Sequence, residues 1–332
     1  MRRSRLFGAT SALLAGALVL SACAPDDEND VAEPEEEEEV EEVDWGECDT
    51  REGAAAIPDP DGTGEDETEV TIGIFSGWDE SYASVHLFEH VLEDMGYTVD
   101  TTELEAGATY TGVARGDIDF TTDGWLPVTH EHYLEEHGDN MESLGCWYDN
   151  AKLTFAVNED APIDSIDELA EHADEFDNRI VGIEPGAGLT STTEEEVIPT
   201  YGLEEMEFLT SSTPAMLSEL QSSIEADENV VVTLWHPHWA YDAFPIRDLE
   251  DPEGTLGETE IIYNFGRDGF EEDYPNLAQM VRNFVMEPDE LAELERIMFS
   301  EDEYDGDDHE AAVADWLEDN PEFVEDLKAG TL

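Results

Sequence analysis

The stretch VVTLWHPHW, Val231 to Trp239, opens on β-branched residues and ends with two tryptophans and two histidines around a proline. Such a run reads as a buried strand, which puts Trp235 at its carboxyl end. In open α/β sheets ligands bind beyond the carboxyl ends of the strands. Two further tryptophans take the same kind of position: Trp78 follows VTIGIFSG and Trp125 follows IDFTTDG. One tryptophan so placed is accounted for as a large hydrophobe covering a core. Three, from separate segments of a chain that holds 7, point to one shared aromatic site.

Outward from these strands the pattern alternates. TEVTIGIF reads as a strand, SYASVHLFEHVLEDMG as a helix closed by a glycine, and YTVDTTEL as a strand again. A second unit opens near KLTFAVNEDAPIDSIDEL, where RIVGIEPGAG, TSTTEEEVIPTYG, MEFLTSS, TPAMLSELQSSIEA and NVVVTLW alternate strand and helix; helical character then dominates from YPNLAQMVRNFVM onward. The fold class expected is α/β, with two lobes of similar size and a helical tail. Two such lobes are what a clamshell binding protein needs to close over a ligand by hinge motion. The divisions expected are 1–22 as a signal, 23–68 as an acidic disordered tether, 69–157 and 158–258 as the lobes, and 259–332 as a return segment with C-terminal helices packing mainly on the first lobe.

The charge is extreme. Asp plus Glu number 88 against 12 Lys plus Arg, a formal net charge of -76, and Lys152 and Lys328 are the only two lysines in 332 residues. Nucleic acid is an unfavourable partner for such a surface. Acids occur along the whole chain from Asp26, which fits a protein working in molar salt, where the screening length falls to about 3 Å. Loss of stability in dilute buffer is the expected outcome, checked by thermal melts across a salt series.

The first residues, MRRSRLFGATSALLAGALVLSAC, place arginines before an apolar run and small residues before a cysteine, the layout of an export signal. Leu20-Ser21-Ala22-Cys23 resembles a bacterial lipobox, which makes Cys23 the lipidated residue of a protein on the outer face of the cell membrane. The apolar run is shorter than the roughly 20 residues of a membrane span. Outside the cytoplasm the remaining cysteines, Cys48 and Cys146, are free to pair; the alternative is two thiols, Cys146 buried as a small hydrophobe.

Converging indole faces suit quaternary ammonium cations, which offer no N–H and are held by cation–π attraction. A desolvated cage is also screened little by salt. GWDESYASVHLFEHVLEDMGY, DGWLPVTHEHY, IVGIEPGAG and WHPHW, in that combination, resemble the glycine betaine-binding proteins of ABC transporters for compatible solutes, over roughly Val70 to Leu332. The resemblance implies a type II periplasmic-binding-protein fold, no enzymatic chemistry and no cofactor, with a permease and its ATPase subunit as partners. It implies a cation box of Trp78, Trp125 and Trp235, and a carboxylate site at the backbone N–H groups of Gly182 and Ile183 and at His130. Independently, N–H groups of a glycine-containing turn form an anion nest, and a histidine adds a donor, charge-assisted if protonated. His236 stands where the family usually has a small polar residue.

Other readings compete. Choline, carnitine or proline betaine would present a similar cationic head. His86-Leu87-Phe88-Glu89-His90 matches an inverted zinc-peptidase pattern, HxxEH, and His130, His132, His137 and the HPH triplet add imidazoles. A metal site needs three or four ligands to meet, which spacing alone does not supply, so no metal is expected.

Overall fold

The computed structural model describes residues 45–300 and 302–332; the signal, Cys23 and the acidic run before residue 45 lie outside the described residues. Nine strands form one sheet: β1 Glu69–Phe75, β2 Thr98–Leu104, β3 Phe120–Leu126, β4 Met141–Asn158, β5 Arg179–Val181, β6 Glu207–Leu209, β7 Val231–His236, β8 Ile246–Asp248 and β9 Glu260–Arg267. Their order is β2-β1-β3-β9-β4-β7-β5-β6, with β8 also on β4. The α/β alternation of the sequence is therefore realised, with β1 parallel to β2 and β3 on one side, and β5 parallel to β6 and β7 on the other.

The 18-residue strand β4 joins the two halves. Its first part, Met141 to Ala151, pairs antiparallel with β9, and its second part, Lys152 to Val157, pairs antiparallel with β7. The chain thus passes from the β1/β3 half (lobe 1) to the β5/β7 half (lobe 2) inside a strand, before the boundary expected at residue 157. No break in hydrophobic pattern marks the place, because both parts of the strand face cores. The chain returns by β9, and the helix Pro288–Phe299 packs on the helix Asp79–Met95 of lobe 1.

Local signals explain the element ends. The helix Asp79–Met95 stops at Gly96, whose φ of 104° lets its N–H reach the carbonyls of Leu92 and Glu93. Thr213–Glu225 begins at Ser212, whose hydroxyl accepts the Ala215 N–H.

Residues 45–68 do not behave as the expected tether. Cys48 and Cys146 form a disulfide, and Trp45 packs edge-on against Tyr263 at 5.2 Å. Ile57 is buried, with its N–H on the Lys328 carbonyl, and the Glu65 carboxylate accepts the N–H groups of Asn276 and Leu277 at the start of a helix. Every one of these ties is long-range, so the segment carries no periodicity by which the sequence could reveal its order.

Candidate functional site

The three tryptophans meet. Trp78 lies just past β1, Trp125 near the end of β3 and Trp235 near the end of β7, and together they line one small pocket. Two come from lobe 1 and one from lobe 2, so the pocket exists only with the lobes together. All three are buried, none more than 7% exposed.

Each indole is fixed by a neighbouring side chain. Trp125 Nε1 donates to Asp123 Oδ1 at 2.8 Å, and Trp235 Nε1 donates across the lobes to Glu80 Oε2 at 3.0 Å. Trp78 stacks on the ring of His130, with centroids 5.4 Å apart and planes 8° from parallel, and meets Phe75 edge-on. With two indole N–H edges spent on carboxyl groups, what those rings present to a ligand is chiefly π surface. Leu153, Ile183, Ala187 and Leu189 complete an apolar wall. Such a lining favours a desolvated cation without hydrogens to donate.

His130 stands behind Trp78 rather than on the pocket wall. Its Nδ1 accepts the Trp125 backbone N–H at 3.0 Å and lies 3.1 Å from the Tyr110 hydroxyl. Burial pushes its pKa down to about 3, with His132 adding to the effect. The ring is therefore neutral, so the condition for a protonated, charge-assisted donor is not met. Two donors converging on Nδ1 put the proton on Nε2, and Nε2 is buried without a partner in the structure. A buried donor left unmet costs about 1–3 kcal/mol.

Of the two expected backbone donors, Gly182 is not free. Its N–H bonds the Leu209 carbonyl at 2.8 Å, continuing the β5/β6 pairing. The glycine is needed for a different reason: a Cβ there would come within 2.5 Å of the Phe208 ring. Ile183 does line the pocket. A second glycine, Gly188, brings lobe 2 against lobe 1, since a Cβ would meet the Thr129 carbonyl oxygen at 2.8 Å. Thr129 is held in turn by Glu260, whose carboxylate accepts the N–H groups of Val128 and Thr129 and the Thr129 hydroxyl.

Sequence reasoning missed Glu80, Thr129 and Gly188. Glu80 is 1% exposed and lines the pocket. Burial, then Asp123 and Glu295, push its carboxyl well above the usual range, and burial pushes Asp123 up to about 7. A cation entering the pocket would favour the charged form of Glu80. Among 88 acids, nothing in the sequence separates this one from the solvated rest.

The competing imidazoles have other partners. His86 Nδ1 is 2.6 Å from Glu89 and its ring stacks on His309 at 4.7 Å. His132 packs on Tyr133, and His137 Nε2 is 3.3 Å from the Thr111 hydroxyl. Among the described residues, no group of three or more His, Cys, Asp or Glu side chains is placed to hold a metal ion. His236 stacks on Tyr241 at 3.8 Å and bonds Asp248, which also takes Lys152, so this substitution ties β7 to β8 away from the pocket.

Residues 68–319 match the family model described as the substrate binding domain of the ABC-type glycine betaine transport system. The glycine betaine/carnitine transport binding protein of Listeria monocytogenes is 34% identical over 166 residues, 49% of this chain and 52% of that protein, so the match spans about half the relative's length. Lactococcal OpuAC, solved closed with glycine betaine, superposes with a TM-score of 0.72 at 27% identity, covering 79% of this chain and 99% of that one. An ABC-transporter choline-binding protein in complex with choline superposes at 0.71, with 26% identity, over 79% of this chain and 92% of its own.

Proposed function

Because the chain belongs to the family of substrate-binding domains of ABC-type glycine betaine transport systems, we propose that it captures glycine betaine between its lobes and delivers it to a membrane permease. The observation that carries this reading is the meeting of Trp78, Trp125 and Trp235 from both lobes on one small, apolar pocket. The trimethylammonium group sits among the indoles. The carboxylate accepts from the Ile183 backbone N–H, with Gly182 acting as the close-packing point that aims Ile183, and it meets the His130 Nε2–H only by reaching past the edge of Trp78, behind which that ring stands.

The ligand leaves unchanged. Binding favours the closed arrangement because only there are all three indoles in reach, and the closed form is what the permease and its ATPase subunit would act on. Lipidation at Cys23 would hold the receptor at the outer membrane face, and the acidic surface suits a saline exterior where osmolyte import is needed. Among the described residues no helix is long and apolar enough to cross a membrane.

Choline and glycine betaine share the cationic head and differ in the carboxylate, so the pair tests the site directly. His130→Phe keeps a ring behind Trp78 and removes the Nε2 donor. We expect it to weaken glycine betaine binding about tenfold or more, on the scale of a charge-assisted hydrogen bond, and choline binding less. Equal losses for both ligands by calorimetry would remove the carboxylate role from His130.

A further inference from the structure

The last two residues of WHPHW lie outside the cage, yet both are buried against lobe 1. Trp239 is 7% exposed and His238 4%. The Trp239 Nε1–H donates to Asp79 Oδ2 at 2.5 Å, and His238 Nε2 lies 3.5 Å from the same oxygen. Asp79 is the first residue of the helix that follows β1, whereas His238 and Trp239 follow β7. All three therefore belong to an interface that closure makes and opening breaks.

We propose that Asp79, with Trp239 and His238, is a second inter-lobe anchor that sets how long the receptor stays closed over its ligand. The inference rests on the two-lobed receptor reading and adds positioning residues that touch no ligand.

The arrangement is built for a single acceptor. His238 Nδ1 takes the Ala240 backbone N–H at 3.1 Å, which leaves its proton on Nε2, facing Asp79. Burial keeps this imidazole neutral, its pKa lowered to about 3, and pushes the Asp79 carboxyl up to about 7. His238 thus brings no charge into the interface, and the Asp79 carboxyl ionises less readily than an exposed one. The contact holds by the Trp239 N–H on one Asp79 oxygen, with His238 Nε2 close to the same oxygen but forming no hydrogen bond, a geometry that an amide oxygen can reproduce. Glu80 and Trp235 make the parallel bond inside the cage. Consecutive acids on lobe 1, Asp79 and Glu80, thus receive indoles four residues apart on lobe 2, Trp239 and Trp235, one outside the ligand pocket and one lining it.

The test is stopped-flow tryptophan fluorescence of glycine betaine association and release, in molar salt, on wild type, Asp79→Ala, Asp79→Asn, Trp239→Phe and the Asp79→Ala/Trp239→Phe pair. The anchor predicts release faster by tenfold to a hundredfold, on the order expected for an unmet buried donor, in Asp79→Ala and Trp239→Phe. Association should change little, and the ligand-free melting temperature should stay near that of wild type. Asp79→Asn should restore slow release, and the double variant should release no faster than the faster single one. Additive effects of the two single changes, or release at the wild-type rate in either, would overturn the anchor. A wild type that does not bind glycine betaine would overturn the functional reading and the anchor with it, so the two failures are distinguishable.

Discussion

Trp235→Ala is expected to weaken glycine betaine binding about thirtyfold or more, the equivalent of a desolvated cation–π contact of about 2 kcal/mol. Trp235 is the cage residue that lobe 2 contributes, so its loss removes both a face of the box and the bond that crosses to Glu80. Trp235→Phe separates the two: it keeps a π face and loses the N–H. Its affinity should fall between wild type and the alanine variant. Titration calorimetry in molar salt measures all three, and equal affinity of wild type and Trp235→Ala would show that the tryptophans are packing alone.

The second large effect concerns the folded state. Cys48 and Cys146 are 98 residues apart in sequence, and closing a loop of that length restricts the unfolded chain by roughly 4–5 kcal/mol in the chain-entropy account. Replacing both with serine should lower stability by about 3–5 kcal/mol and the melting temperature by about ten degrees for a chain of this size. Because residues 45–68 are held to lobe 1 by this bond, by Trp45 and by Ile57, the loss should also free that segment to proteolysis. Melts with and without reductant check the first effect. A change below about 1 kcal/mol would mean that the other contacts hold the segment without the disulfide.

The fold was legible where periodicity and punctuation coincide. VVTLW, VTIGIF and DIDFTTDGW alternate or run apolar up to a tryptophan, and their neighbours TYTGVARG and HVLEDMG end in glycines that take positive φ at Gly116 and Gly96. A shared aromatic site followed from position, since strand ends converge in such sheets, and the resemblance made it a cation box. What stayed hidden depends on contacts between distant residues. Nothing local shows that Ile57 would sit under Lys328, or that the Gly182 N–H would be spent on Leu209. Charge was the other obstacle. A surface acidic everywhere conceals the few acids that are buried, and Asp79, Glu80 and Asp123 are told apart from solvated neighbours only by the indoles that donate to them.

WHPHW divides its labour in the structure. Trp235 lines the pocket, His236 braces Asp248 within lobe 2, and His238 with Trp239 reaches Asp79 on lobe 1. The motif therefore spans pocket, scaffold and inter-lobe contact within five residues.

The central claim is that the tryptophan pocket takes a zwitterionic quaternary ammonium compound, and calorimetric titration of the folded wild-type protein with glycine betaine in molar salt tests it most directly. We predict saturable binding at one site per chain, with choline binding more weakly under the same conditions. Protein shown by circular dichroism to be folded, yet producing no binding heat with glycine betaine at any temperature tried, would contradict the account.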